Sequence, residues 1–496
     1  MENLPSNIYS SEVVRKIDNH AIGSIPISSY SLMLKAGQAA QIIINTHYSE
    51  AKKIVVFCGD GNNGGDGFIL ASLLLQNNKS VAVIRVGSNE NLSEETNQAL
   101  NLYLKTGGVV KKFENGTSYI NEFEADLYVD AILGTGISRK VSGFYLEAIN
   151  FLNSSKIPIV SIDIPSGLNS DTGIPMKTAV KSSITLVLVA LKQGLFLGNA
   201  SDYVGQIKFD GLDIPLELYD IFRPSLRIMN SSSLPNILPM RLKSSYKGDN
   251  GTLLVVGGNE NMGGAITLAA ESALRSGVGM VKVATHIKNK DFILKRLPEV
   301  LCFGIEANNQ LANCLDDVDA VVLGPGLGRS RWSNDLYRTT MNSKLPIILD
   351  ADALNILAED SEKRDNWILT PHPGEASRLL DTNSKEIQRD RMSNIKKIAN
   401  RFGGVVVLKG CNTLVMQDQE SSPSVCTYGN SGMAVAGMGD VLAGIIGSLV
   451  AQNIKPIEAA FAGVMIHALA GDAESINGKK GMIPSDLMPH IRKIVN

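Results

Sequence analysis

The chain of 496 residues carries 47 Lys and Arg against 49 Asp and Glu, a formal charge of −2, and no basic run interleaved with aromatics, which excludes a nucleic-acid surface. No apolar run reaches eighteen residues and the N-terminal MENLPSNIYSSEVVRK lacks an apolar leader core, so neither membrane spanning nor secretion is expected, and a cytoplasmic protein is. The length exceeds what one hydrophobic core serves, which predicts two domains, and five scattered cysteines with no C-x-x-C spacing read as reduced thiols.

In chain order, short Val/Ile/Leu runs alternate with helical patterns: KIVVFC (53–58), SVAVIRV (80–86), ADLYVDAIL (125–133), IPIVSIDI (157–164) and TLVLVAL (185–191). Continuous apolar strands spaced by helices predict a mostly parallel sheet covered on both faces. A Pro-, Ser- and Asn-rich stretch across 211–250 marks the crossing between domains, with boundaries set at 1–220 and 221–496. The same grammar then restarts with GTLLVVGG (251–258), GMVKVAT (279–285), VDAVVLGPGLG (318–328), LPIILDADAL (345–354), WILTPHPGE (367–375) and GGVVVLKG (403–410), followed by helical patterns at 439–452 and 455–474. Both domains are thus expected to be α/β.

In such sheets ligands sit where strand ends lead into helix N-termini, and GDGNNGGDG (59–67) occupies that place as a glycine-rich loop. Its amides suit an anion, yet it lacks the Lys and Ser/Thr of a Walker loop and the spacing of a dinucleotide fingerprint. The asparagines and Asp66 are left to read sugar or amide groups, or a cation. Asp130, Asp163, Ser166 and Gly167 stand at further strand ends. Singly each is a turn or cap residue. Together Asn63, Asp130 and Ser166 are hard oxygen donors suited to an alkali or alkaline-earth ion.

NNGGDG, VDAILGTG and DIPSGLNSDTG in this order, with the early LMLKAG (32–37), resemble the NAD(P)H-hydrate epimerase family over about residues 10 to 215. That resemblance implies a Rossmann-like three-layer αβα sandwich that interconverts the R and S forms of NADHX and NADPHX, the hydrates of NADH and NADPH. It implies that Asn62, Asn63, Gly64, Gly65 and Asp66, the loop Gly134, Thr135, Gly136, Ile137, Ser138, Arg139 and Lys140, and Asp163 bind the hydrate. A potassium ion would lie on Asn63, Asp130 and Ser166, and Asp163 is the expected acid/base, since a carboxyl in a closed pocket can be tuned to exchange protons.

In the second domain NSGMAVAGMGDVLAG (430–444) sets Gly437, Gly439 and Asp440 at the mouth of an apolar helix, where amides stabilise phosphate charge and an aspartate can take a hydroxyl proton. Alone, Asp440 is equally a helix cap. GGNENMGGA, VLGPGLGR, LDADALN, TPHPGE and LKGCNT accompany it in order. This set resembles the NAD(P)H-hydrate dehydratase family of the ribokinase-like αβα fold over about residues 225 to 496. The resemblance implies dehydration of the S hydrate with ADP and Mg²⁺, giving AMP and phosphate. Ala265, Gly326, His372 and Asp440 would contact the hydrate, with Asp440 catalytic, while Lys409, Gly410, Cys411, Asn412, Thr413 and Gly439 would hold the nucleotide. Met438 replaces the serine of the common Gly-Ser-Gly-Asp, which is expected to remove a hydroxyl near the phosphate. A homo-oligomer is expected. The alternative is a small-molecule kinase with a non-catalytic N-terminal binding domain.

Overall fold

A computed structural model describes residues 4–24, 28–87, 92–113, 120–121, 123–238, 240–360, 362–418 and 421–496. The chain forms two compact units, Met1–Leu226 and Arg227–Asn496. Among the described residues no helix is long and apolar enough to cross a membrane.

The first unit begins with β1 (Asn7–Tyr9), α1 (Ser11–Ser24) and α2 (Ser29–His47). It continues through β2 (Lys53–Cys58), α3 (Asn62–Gln76), β3 (Ser80–Arg85), α4 (Glu94–Lys105), β4 (Val110–Lys112), β5 (Leu127–Ala131) and α5 (Gly143–Ser154). The strands β6 (Ile159–Ile162), β7 (Ile184–Leu188), β8 (Leu191–Lys192) and β9 (Gln206–Asp210) complete it. Seven strands pair in the order β4-β3-β2-β5-β6-β7-β9, all parallel. Strand alternation explains why the apolar runs are continuous. Ile54, Val56 and Cys58 of β2 enter one core and Val55 and Phe57 the opposite one, so neither face tolerates a polar residue. Outside this sheet, β8 pairs with β1, Tyr9 standing opposite Lys192.

In the second unit the strands are β10 (Leu226–Ile228), β11 (Thr252–Val256), β12 (Met280–His286), β13 (Leu301–Ile305), β14 (Ala320–Leu323), β15 (Ile347–Leu349), β16 (Trp367–Leu369), β17 (Val405–Leu408), β18 (Leu414–Met416) and β19 (Ser424–Val425). Their order is β13-β12-β11-β14-β15-β16-β17-β18-β19-β10, parallel from β13 to β17 and antiparallel at β17–β18 and β18–β19. Helices α6 (Gly263–Arg275), α7 (Met438–Ala451) and α8 (Pro456–Glu474) pack into a large core with Leu253, Val255, Val322 and Ile348. Strands β1, β4, β9, β10, β13, β18 and β19 were not anticipated. They are short or exposed on one side, and residues such as Lys111, Lys112, Gln206 and Ser424 break the apolar signal.

Candidate active sites

In the first unit NNGGDG is not a loop. Gly61 is the N-cap of α3, Asn62 opens the helix, and the amides of Gly64 and Gly65 donate to the Gly61 carbonyl at 2.9 and 3.2 Å. Those two amides are therefore engaged within the helix and do not cradle an anion. The glycines answer a packing demand instead. A Cβ on Gly64 would lie 2.0 Å from the Gly59 carbonyl oxygen, and one on Gly65 would lie 2.4 Å from the Met33 side chain. Close approach of α3 to the β2 end and to α2 is what the motif encodes.

Beside it opens a cleft of about 1060 Å³. Asn62, Asn63, Asp66, all of Gly134 to Lys140, and Asp163 line it, whereas Gly64 and Gly65 do not. Asp60 steadies the entrance, accepting from Arg85 Nε at 3.0 Å and from the Tyr145 hydroxyl at 3.4 Å. Asp130, fully buried, accepts from Ser161 Oγ at 2.7 Å, Ser166 N at 2.8 Å and Ser166 Oγ at 2.5 Å. Burial raises its carboxyl above the usual range and these bonds oppose the shift. Asp130 and Ser166 are thus brought together. Asn63 is 7% exposed, and neither atom of its amide has a hydrogen-bond partner among the described residues.

Asp163 follows β6 with φ +69°, a left-handed conformation uncommon for a side-chain-bearing residue. Its N–H donates to the Leu186 carbonyl at 2.6 Å, and its Oδ1 accepts from Leu188 N at 3.2 Å and from Lys192 Nζ. Lys192 is 1% exposed and also donates to the Leu188 carbonyl at 2.7 Å. Two further carboxyls reach the same cleft. Asp18, on α1, is pushed up to about 6 by burial, with Asp163 adding to the shift and Lys192 opposing it. Asp66 is raised well above the carboxylate range by burial and by repulsion from Asp163 and Asp18.

Lys192 and Asp18 were missed in the sequence. Lys192 follows the apolar run TLVLVAL and Asp18 lies on an amphipathic helix, so neither carries a local signal.

The second site lies at the carboxyl ends of β14 to β17. Glycines hold the strand-end turns: Gly324 has φ +130° with no room for a Cβ, which would meet the Asp350 carbonyl oxygen at 1.8 Å. Gly326 has φ +61° and faces Ala265, whose Cβ lies 3.3 Å from the position of a Gly326 Cβ. Asp350 follows β15, and its Oδ1 accepts from Thr370 Oγ1 at 2.7 Å and from Lys409 Nζ at 2.5 Å. Glu375 Oε2 stands 3.7 Å from the same ammonium. Lys409 therefore turns its ammonium into an acidic cluster, while Cys411 of the same loop is exposed. Burial tends to lower its ammonium, but Asp350 and Glu375 outweigh that and leave it raised.

Gly437, at φ +94°, is the N-cap of α7, and a Cβ on Gly439 would lie 3.1 Å from Lys409 Nζ and 3.7 Å from Asp350 Oδ2. Asp440, in the first turn, is pushed up to about 7 by burial and by the neighbouring Asp350, with Lys409 opposing the shift. Burial raises Glu375 as well.

His372 caps the helix Pro373–Leu379: its Nδ1 accepts from Gly374 N at 2.9 Å and its Nε2 lies 3.3 Å from Glu375 Oε1. With both ring nitrogens engaged and its pKa lowered by burial and by Lys409, the ring presents an uncharged, fixed surface. Arg391, 2% exposed, supports the loop Lys409 to Thr413 from below, donating to the carbonyls of Leu408, Lys409 and Asn412 at 2.9, 3.3 and 3.4 Å. Met438 corrects the expectation of a hydroxyl lost near the phosphate. Its side chain is 5% exposed and belongs to the hydrophobic core.

Two strand-end sites on two α/β units, one a carboxyl-lined cleft and the other a helix N-terminus ringed by Asp350, Lys409, Glu375 and Asp440, define a two-centre enzyme with a ribokinase-like second half. Residues 253–493 match the family described as NAD(P)H-hydrate dehydratase, and residues 29–194 match the YjeF-related protein N-terminus. Over 490 residues, covering 99% of each chain, the sequence is 39% identical to the bifunctional NAD(P)H-hydrate repair enzyme Nnr of Coxiella burnetii. Its Escherichia coli K12 counterpart is 37% identical over 494 residues, covering 99% of this chain and 95% of that one. A ribokinase-like superfamily protein from Enterococcus faecalis V583, 28% identical, superimposes with a TM-score of 0.51, covering 55% of this chain and 97% of its own. The chain belongs to the bifunctional NAD(P)H-hydrate repair enzymes. End-to-end relationship to that family sets aside the alternative of a kinase with a passive N-terminal domain.

Proposed function

We propose that the first unit equilibrates the R and S hydrates of NADH and NADPH and that the second dehydrates the S form at the expense of ADP, releasing AMP and phosphate. The observation that carries the reading is the cluster of Asp350, Lys409, Glu375 and Asp440 around the N-terminus of α7. Hydroxide is a poor leaving group and phosphate a good one. Asp440, with a pKa of about 7, suits removal of the hydrate's hydroxyl proton as its oxygen attacks the terminal phosphoryl group. The amides at the start of α7 favour the charge that develops on phosphorus. The phosphate then departs with the carbon–oxygen electron pair, and loss of a proton from the adjacent ring carbon restores the dihydropyridine. Ala265, Gly326 and the fixed ring of His372 would border the hydrate. Gly439 and the loop Gly410 to Thr413 would hold the nucleotide, with Arg391 setting the loop's height. Lys409 serves as a charge partner to Asp350 beside the phosphates.

Among the described residues no three of His, Cys, Asp and Glu are placed to hold a metal ion by themselves, so Mg²⁺ would come with the nucleotide, its phosphates supplying most of the ligands. With the nucleotide, Mg²⁺ would neutralise phosphate charge. In the first unit the unpartnered amide of buried Asn63 fits a potassium ion, which Asp130 and Ser166 would also hold, fixing the cleft wall beside Gly134.

The test is an assay of the purified chain on mixed NADHX epimers with ADP. Consumption of both epimers, with NADH and phosphate appearing together, is expected. A stable phosphorylated product in place of NADH would refute the dehydratase step, and consumption of only half the hydrate would refute the epimerase. We further propose a cytoplasmic, self-associating enzyme. The edge strand β13, which exposes Leu301 and Phe303, supports self-association, and light scattering measures it.

A further inference from the structure

Lys192 is the one buried cation among the described residues of the first unit's cleft; Arg15, Arg139 and Lys140 lie exposed at its rim. Burying an ammonium is costly unless it is paired. Lys192 is paired in a particular way: one N–H goes to Asp163 Oδ1 and one to the Leu188 carbonyl, leaving its third donor without a partner among the described residues. Asp163 is complementary. Its Oδ1 accepts from Lys192 and Leu188, while its Oδ2 accepts from none of the described residues. An open donor and an open acceptor, joined through one shared contact, thus line the same cleft. Asp163 is held there by a left-handed backbone and Lys192 by the pairing of β8 with β1. Preserving such an arrangement for packing alone would be wasteful, since an apolar pair of the same volume is often at least as stable.

On the reading of this unit as the epimerase, we infer that Lys192 is a catalytic acid working with Asp163 as base. Water adding to an enamine double bond leaves its hydroxyl on the carbon attached to nitrogen, so the epimeric centre is a hemiaminal. Asp163 Oδ2 takes the hydroxyl proton, the oxygen forms a carbonyl, and the carbon–nitrogen bond breaks with its pair moving to the ring nitrogen. Lys192 donates a proton to that nitrogen. The freed aldehyde turns about its carbon–carbon bond, and reclosure on the other face returns one proton to Lys192 and takes one from Asp163, consuming nothing. Cleavage of the carbon–oxygen bond instead would give a cation that becomes NAD(P)H by losing one proton, making the second unit's nucleotide superfluous. Asp18 and Asp66 are the other carboxyls that face Lys192 across the cleft.

The experiment uses the full chain with mixed NADHX epimers and excess ADP, following each epimer by chromatography. Lys192→Arg keeps the charge and the ion pair but cannot give up its proton; Lys192→Met removes both. In each, the S epimer is expected to disappear at the wild-type rate while enzyme-dependent loss of the R epimer falls by about 10²-fold or more. If the wild type itself consumes only the S half, the epimerase reading fails. If the wild type consumes both and Lys192→Arg does so at the same rate, the assignment of Lys192 fails. Should either variant unfold, the solvent deuterium isotope effect on wild-type loss of the R epimer decides. A normal effect is expected, because both Asp163 and Lys192 move protons in the step, and its absence overturns the proposal.

Discussion

Replacing Asp440 by Asn should abolish dehydration and stabilise the second unit, and the two effects have one cause. Burial and the Asp350 charge move this carboxyl from 3.8 to about 7. At 1.36 kcal/mol per pKa unit, holding it ionised in the folded state costs about 4 kcal/mol as an upper limit. The sign follows from proton uptake. Above pH 7 both folded and unfolded chains carry the ionised form, and the folded state bears the full cost. As the pH falls from about 7 towards 4 the folded state binds a proton before the unfolded state does, so stability rises through that window and levels off below it. The neutral amide introduced by Asp440→Asn would bear no such cost at any pH. Both tryptophans, Trp332 and Trp367, lie in the second unit, so urea unfolding followed by tryptophan fluorescence reports on it directly. Asp440→Asn should exceed the wild type by roughly 2–4 kcal/mol at pH 8, the gap closing towards pH 4. Turnover of the S hydrate should drop by about 10²–10⁴-fold, the usual range for losing a general base. In the wild type the rate should fall on the acid side of about pH 7 as Asp440 protonates. Equal stabilities at pH 8, or an Asn variant that still turns over, would refute the argument.

Three further outcomes are expected. Potassium should raise the melting temperature of the first unit in the wild type but not in Asn63→Ala, the linkage being about 2.7 kcal/mol at a hundredfold excess over Kd; an equal rise in both would dissociate Asn63 from the ion. Gly64→Ala forces a Cβ to within 2.0 Å of the Gly59 carbonyl oxygen, so the R epimer should persist while the S epimer is consumed, and wild-type epimerisation would contradict the packing account. Met438→Ser should destabilise the second unit by about 3 kcal/mol, as for other buried large-to-small changes, with the KM for ADP unchanged; denaturant midpoints and nucleotide titrations check the two halves of that statement.

Local sequence determined the alternation of buried strands with helices, the change of character across 211–250, the strand-end placement of Asp130 and Asp163 and the helix-start placement of Asp440, because burial on both faces of a parallel sheet leaves a continuous apolar signature. Ordered motifs carried the family. What they did not carry was the use of each residue. NNGGDG read as a glycine-rich loop, yet its glycines are small so that one helix can press against a strand end, a demand set by atoms distant in sequence such as Met33. Lys409 read as part of a nucleotide loop, and nothing local foretold that its ammonium pairs with Asp350, 59 residues away. Met438 read as a vacancy beside phosphate, yet it fills the core. Lys192 and Asp18 had no motif at all and meet Asp163 only once the chain is folded. Periodicity is a property of neighbours along the chain, so sequence alone could fix the elements. Charge pairing, desolvation and close backbone approach depend on inverse distance in space, so only the tertiary structure could decide which acids share which cation.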